Sequence, residues 1–327
     1  MHWANHSTGS NINQCDQPAT PQSHRACLFE GKTLAFRCRH SWGRPSRVDK
    51  VMNWLRPWVP PIAIDFARTY LLRSRLLRYE GDFPSWEAAR KASPGGYDSP
   101  EIMARVRESA GKVRDGLAAF ERDGVCFEKR EYDFPLLACL LRVASDSGNR
   151  LRVIDFGGSL GSTYYQCRPF LGGLSELVWT VVEQPHFVEC GQKEFEDGRL
   201  RFRDSIASCE EADVVLISGS LQFLAEPFAV LDQLAAVGAH WLILDRTPVI
   251  AGDRNVITVQ RVPAAIYGSE ASYPSWLFAT NRLREFLQQT WTIEIEVDGS
   301  DCRILRTGGE MDFRFWFCRT QRVPARP

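Results

Sequence analysis

Val153-Ile154-Asp155-Phe156-Gly157-Gly158-Ser159-Leu160-Gly161 is the stretch that decides the fold. An apolar run of the kind buried in a parallel sheet passes directly into a turn holding three glycines. Glycine there lets the backbone take positive φ and lets a ligand approach closely. The helix that follows opens with free N–H groups and a positive dipole end. Working outward, further short apolar runs occur at 178–183, 199–203, 213–218 and 241–245, with helical stretches between them. Strand alternating with helix predicts an α/β fold, a parallel sheet covered on both faces. The runs at 292–297 and 313–319 are joined by a Gly-containing stretch too short for a crossover helix, so they are expected to pair antiparallel.

Two details sort the ligands that such a turn can hold. Ser159 stands where the second glycine of G-x-G-x-x-G would be, so the strict dinucleotide pattern fails. Asp155 closes the strand with a negative charge, which repels a pyrophosphate and attracts an ammonium or sulfonium. The sign of that charge favours S-adenosylmethionine as cofactor. Glu183 ends the next strand in Thr180-Val181-Val182-Glu183-Gln184, twenty-two positions after Gly161, where a carboxylate accepts hydrogen bonds from ribose hydroxyls. Gln184 adjoins it. Asp204 and Ser205 end the third strand, where an adenine amino group is read or where the next helix is capped. Ser218, Gly219 and Gln222 follow the fourth strand at the carboxyl edge, over the crevice where open α/β sheets bind ligands. The expected cofactor-binding set is Asp155, Gly157, Gly158, Ser159, Gly161, Glu183, Gln184, Asp204, Ser205, Ser218 and Gly219.

An oxidoreductase of the short-chain type shares the fold, but no tyrosine is followed four positions later by the lysine that class needs. A non-catalytic nucleoside-binding or scaffold protein is the other alternative. Base methylation of nucleic acid is disfavoured, because the loop after the fourth strand lacks an Asn or Asp followed by two prolines and an aromatic.

Composition narrows the setting. The 327 residues include forty basic and forty acidic side chains, so no global field recruits nucleic acid or an anionic membrane. The ten cysteines are scattered without a C-x-x-C pair, which fits a reduced compartment, and no His or Cys spacing resembles a metal site. The chain does not open with a secretory signal, and no apolar run reaches the roughly 18 residues of a spanning helix. A cytoplasmic enzyme without metal is expected.

Along the chain, residues 1–50 are polar and aperiodic and are expected to be a disordered tail, with Met52 reading like a natural start. Residues 51–147 read as a helical cap region. Within it, 54–78 could form a basic amphipathic helix that packs on its own domain or, less favourably, touches a membrane surface. The stretch 79–100 is expected to be loop apart from a short helix over 86–91. Ser99-Pro100-Glu101 opens a helix carrying Ile102, Val106, Val113, Leu117 and Phe120, and another begins near Tyr132. Residues 148–327 form the sheet domain, with 249–290 inserted after the fifth strand as a lid.

For the acceptor side, Asp245-Arg246-Thr247-Pro248 follows the fifth strand at the correct edge. Asp245 is a candidate base and Arg246 an anchor for an acidic acceptor, unless the two merely pair to fix the loop. Tyr267, Tyr273 and Trp276 of the insertion, together with Gln222, are the candidate substrate contacts, since aromatics over a crevice stack on a ring and exclude water. They could equally form a small core. His186 reads as a loop residue.

Five strings carry a family likeness: Tyr79-Glu80-Gly81-Asp82-Phe83-Pro84-Ser85-Trp86, Asp155-Phe156-Gly157-Gly158-Ser159-Leu160-Gly161-Ser162, Val182-Glu183-Gln184, Asp245-Arg246-Thr247-Pro248 and Ser272-Tyr273-Pro274-Ser275-Trp276. In these the chain resembles a bacterial family of S-adenosylmethionine-dependent methyltransferases with no firmly assigned substrate. The resemblance implies a Rossmann-like class I methyltransferase sheet, mostly parallel with the last strand antiparallel, behind an N-terminal helical region. It also implies the methyl donor, and hints at a small-molecule or glycan acceptor in polysaccharide biosynthesis.

Overall fold

The computed structural model describes residues 77–93, 100–122, 124–127, 132–264, 270–298, 304–306 and 309–321. The expectations for 1–50, for Met52 and for the helix from Trp54 fall outside these residues, and Arg78, the end of that helix, opens a strand instead.

Strand β1 covers Arg78–Phe83, where loop was expected. Gly81 and Pro84 disguise it: Gly81 sits at φ 83°, and the pairing register slips between Glu80 and Phe83. Helix α1 (Trp86–Lys91) starts where Ser85 Oγ accepts from Ala88 N at 3.2 Å. Helix α2 (Pro100–Arg114) begins on proline with Glu101 in its first turn, as expected. It stops short of the expected end. Gly116 takes φ 74°, Leu117 is exposed, and Phe120 enters a hairpin of β2 (Phe120–Arg122) and β3 (Val125–Phe127). Helix α3 (Phe134–Asp146) is capped by Asp133, which accepts from Leu136 N at 3.1 Å.

The alternating region follows as β4 (Arg150–Phe156), α4 (Ser162–Leu171), β5 (Glu176–Val182), α5 (Pro185–Glu194), β6 (Leu200–Arg203), β7 (Val214–Ser218), α6 (Pro227–Ala236) and β8 (Trp241–Ile250). Then come β9 (Val256–Val262), β10 (Ala271–Ala279), α7 (Thr280–Gln288), β11 (Trp291–Asp298), β12 (Ile304–Arg306) and β13 (Gly309–Thr320). The central sheet runs β6-β5-β4-β7-β8-β13-β11, parallel except for β13, which is antiparallel to both neighbours. This is a Rossmann-like, mostly parallel sheet whose last strand in the chain is antiparallel.

Period-two alternation divides the core. Leu151, Val153, Trp179, Val181, Leu216 and Ile243 bury against α2, α3, α4 and α5. Ile154, Val182, Val215, Ile217, Leu242 and Leu244 bury against α6 and α7 on the other face. The elements from β1 to α3 belong to the same compact unit.

The sheet forks along β8. Its first five residues pair with β7, from Val214↔Trp241 to Ser218↔Asp245. β7 then ends, and on that same side β8 pairs with β10 at Phe278↔Val249 and Ala279↔Ile250. At the fork Arg246 takes φ 51°, and the β13 register slips between Arg314, opposite Thr247, and Trp316, opposite Leu244. Two residues of β8, Asp245 and Arg246, therefore stand against Phe315 alone, a bulge that re-aims both side chains. The stretch 249–290 is thus built of strands and a helix: β10 pairs with β9, and β9 with β1, both antiparallel.

Candidate functional site

The turn after β4 is a cradle that a side chain would fill. Gly157 (φ 73°), Ser159 (φ 54°) and Gly161 (φ 87°) all take left-handed backbone conformations. A Cβ on Gly157 would lie 2.5 Å from Ser220 Cβ, and one on Gly158 would lie 2.5 Å from the Asp155 carboxylate. Gly161 stands at the N-terminus of α4 with no side-chain cap, leaving that helix end open.

Asp155 lies under this turn, 1% exposed. Trp179 Nε1 donates to Oδ2 at 2.9 Å, while Oδ1 is buried and accepts from no protein group. Burial lifts its carboxyl to about 7, Trp179 pulls the other way and the Glu183 charge adds to the rise. Trp179 went unnoticed in the sequence, because only the β4–β5 register brings it two residues behind the partner of Asp155.

Glu183 is half-buried and spans the two loops: Oε1 accepts from Ser159 N at 3.2 Å and Oε2 from Gln184 N at 2.8 Å. Burial raises its carboxyl, and the two backbone N–H groups oppose the rise. Each oxygen keeps a lone pair for a ligand hydroxyl. Gln184 is exposed beside it. Asp204 and Ser205 are exposed at the tip of β6, where Ser205 starts a one-turn helix over Ile206–Ser208.

The loop after β7 ties these parts together. Ser220 Oγ donates to Phe156 O at 2.8 Å, and Gly219 N donates to Asp245 O at 3.0 Å. Ser218 Oγ donates to the buried Asp245 at 2.6 Å from Oδ2. Gly219 (φ 71°) lacks a Cβ where the Arg246 guanidinium lies, 3.0 Å away. Gln222 is buried and donates from Nε2 to Gly219 O at 2.9 Å. Asp155, the glycines, Glu183, Ser218, Gly219, Gln222, Asp245 and Arg246 therefore all sit at the carboxyl edge.

The aromatic candidates part company. Tyr273 and Trp276 are three apart on β10 and project to opposite faces. Tyr273 is buried and meets Phe223 edge-on at 5.9 Å. Trp276 stacks on Trp86 at 6.2 Å and donates from Nε1 to Leu224 O at 3.0 Å, which pins the loop to the α1 side. Tyr267 lies outside the described residues. His186, in the first turn of α5, packs on Phe187. Glu121 of the β2–β3 hairpin accepts from Ser162 Oγ in the first turn of α4, a contact the sequence did not reveal.

No family model matches the chain, and no curated protein matches it. Similar solved structures include a magnesium protoporphyrin IX methyltransferase from Synechocystis with bound S-adenosylmethionine, 14% identical over 57% of this chain and 79% of that one, TM-score 0.38. Another is a 1,6-didemethyltoxoflavin-N1-methyltransferase from Burkholderia thailandensis with its acceptor and S-adenosylhomocysteine, 17% identical over 68% of this chain and 92% of that one, TM-score 0.37. A third is a glycopeptide N-methyltransferase complexed with sinefungin, 12% identical over 56% of this chain and 86% of that one, TM-score 0.37. Among the described residues no helix is long and apolar enough to cross a membrane.

Proposed function

We propose that the chain is an S-adenosylmethionine-dependent methyltransferase acting on a small-molecule or glycan acceptor, through an oxygen nucleophile. The observation that carries this is the buried Asp155 carboxylate beneath the glycine cradle, with Oδ1 accepting from no protein group. A carboxylate so placed is costly unless a cationic donor reaches it. Glu183 stands beside it with lone pairs for a ribose diol. Two acids at neighbouring strand tips suit a cationic amino-acid nucleoside and oppose a pyrophosphate.

When bound, the donor supplies a methyl on a cationic sulfur, so that transfer breaks S–CH₃, forms O–CH₃ and leaves a neutral thioether. The chain's own residues hold the two partners. Gly157, Gly158, Ser159 and Gly161 let the backbone close on the donor, and the buried edge excludes water. Asp204 and Ser205 stand at the adenine end. On the acceptor side, Ser218 Oγ and Asp245 form a two-member path: the acceptor hydroxyl gives its proton to Ser218 Oγ, whose own proton passes to Asp245 Oδ2. Arg246, over Gly219, holds this loop in place. Tyr273 and Tyr267 are assigned to the acceptor, and Trp276 to fixing the loop. A bacterial setting in polysaccharide biosynthesis is supported by the resemblance of the motif strings alone, and a cytoplasmic one by the ten cysteines scattered without a C-x-x-C pair.

Calorimetry with S-adenosylmethionine, S-adenosylhomocysteine and NAD tests the donor. Micromolar binding of the first two is expected; tight NAD binding with neither of them bound would refute the assignment. Radiolabelled methyl incorporation from cell extract would then reveal the acceptor.

A further inference from the structure

Gln222, in the loop after β7, and Gln260, on β9, each carry a buried amide oxygen without a hydrogen-bond partner among the described residues. Gln222 is 4% exposed, and its amide orientation is fixed because Nε2 donates to Gly219 O, so Oε1 is the atom left without a donor. Gln260 is 7% exposed, and its Oε1 also has no donor. In strand register Gln260 lies directly between Tyr79 of β1 and Tyr273 of β10. Cross-strand partners share a face, so Tyr79, Gln260 and Tyr273 form one polar row. That row reaches the loop after β7 where Tyr273 meets Phe223, the residue next to Gln222. Both glutamines are thus tied to the gap between the end of β7 and β10.

Buried amide oxygens left unsatisfied are rare and costly, and their common remedy is a ligand or water that donates to them. A carboxylate or a phosphate brings only acceptor oxygens and would face two more lone-pair oxygens here. Of the cations described at the fork, Arg246 adjoins the buried Asp245 carboxylate in the chain, and Arg314, opposite Thr247, faces Glu296 and Asp298. Local charge therefore does not select an anion.

We propose that the gap between β7 and β10 is the acceptor subsite, in which Gln222 and Gln260 accept hydrogen bonds from a neutral or cationic molecule rich in O–H or N–H donors. This deepens the methyltransferase reading and rests on it for the word acceptor. It also replaces the expectation of an acidic acceptor held by Arg246, and it gives β1 and β9 a part in substrate choice.

Saturation-transfer NMR on the full chain, with and without S-adenosylhomocysteine, tests this with myo-inositol, D-glucosamine, D-glucuronate and D-glucose 6-phosphate as probes. Signals are expected from the first two, with the two anions at least about fivefold weaker. Gln260→Leu should reduce the inositol and glucosamine signals by a similar factor, while calorimetric affinity for S-adenosylhomocysteine stays within about twofold. Gln260→Glu keeps an acceptor oxygen and should restore the glucosamine signal, which a merely structural role for Gln260 would not produce. Equal or stronger signals from the anions, silence from all four probes, or no effect of Gln260→Leu would overturn the proposal. Failure of S-adenosylhomocysteine to bind, with the probe pattern intact in its absence, would instead strike the methyltransferase reading and leave the donor-reading subsite standing.

Discussion

Ser218 Oγ donates to Asp245 Oδ2 across 2.6 Å, joining the last residue of β7 to the last residue of β8 that pairs with it. The bond sits at the fork, so it both fixes the end of β7 and connects a half-buried hydroxyl to a buried carboxylate. A hydrogen bond to a charged group contributes about 1.5–3 kcal/mol. Ser218→Ala should lower stability by about that amount in urea unfolding. Ser218→Thr keeps the hydroxyl and should retain most of it. If the proton path runs through Ser218, kcat falls at least tenfold in the alanine variant and far less in the threonine variant. Donor affinity should be little changed in both.

Gly158 and Asp155 compete for one volume. A methyl on Gly158 would lie 2.5 Å from the carboxylate and must push it aside. Gly158→Ala is therefore expected to weaken S-adenosylhomocysteine binding more than tenfold by calorimetry, although the backbone there needs no positive φ. Gly172, at the end of α4, serves as the control, because a methyl there would meet no atom within 4 Å. Gly172→Ala should bind like the parent chain.

Glu183 accepts from Ser159 N and Gln184 N, so its removal frees the glycine turn as well as the ribose contact. Glu183→Ala should cost donor affinity about tenfold or more, the size of one charged hydrogen bond. Glu183→Gln keeps one acceptor oxygen and should fall between the two. Adenosine, which has the ribose but no amino acid, is the informative competitor: it should lose affinity in Glu183→Ala and be indifferent to Asp155→Asn.

The strands of the central sheet were legible because each is a short apolar run ending in a polar or glycine residue, and the turn after β4 announced itself through Gly157, Gly158 and Gly161. Glu183 followed from its place at the next strand end. What escaped depends on residues distant in the chain. β1 reads as loop until β9 pairs with it across Gly81. The bulge at Asp245 and Arg246 exists only relative to Phe315 on β13. Burial of Asp155 under Trp179, and the Tyr79–Gln260–Tyr273 row, are products of strand register, which local pattern does not specify. The opposite facing of Tyr273 and Trp276 would have been readable had 271–279 been taken as strand, since a spacing of three changes face.

Trp276 bonds Leu224 O while stacking on Trp86, so it holds the loop after β7 from the side away from Tyr273. Trp276→Phe keeps the stack and loses the indole N–H, at an expected cost of about 1 kcal/mol. The loosened loop should raise the acceptor KM while donor affinity stays within about twofold. Tyr273→Ala opens the other side, where Phe223 loses its edge-on partner. Both variants should impair acceptor use more than donor binding, and the opposite ordering would remove this segment from the acceptor site.

Asp155 gives the site a pH dependence whose sign follows from its burial. Folding raises its carboxyl from 3.8 to about 7, so between those values the folded chain holds a proton that the unfolded chain has released. Stability of the ligand-free protein should therefore fall as pH rises through that window, with the full penalty present above about 7. Glu183, also raised by burial, acts in the same direction. A cationic ligand favours the ionised carboxylate, so affinity for S-adenosylmethionine should climb with pH up to about 7 and level off beyond it. Asp155→Asn removes its share of both effects: its melting temperature should exceed that of the parent chain at pH 8, the gap should narrow as pH falls toward 4, and its weaker binding should depend much less on pH. Calorimetry from pH 5.5 to 8 decides the point, because a parent affinity that does not change over this range would mean that no cation reaches the carboxylate.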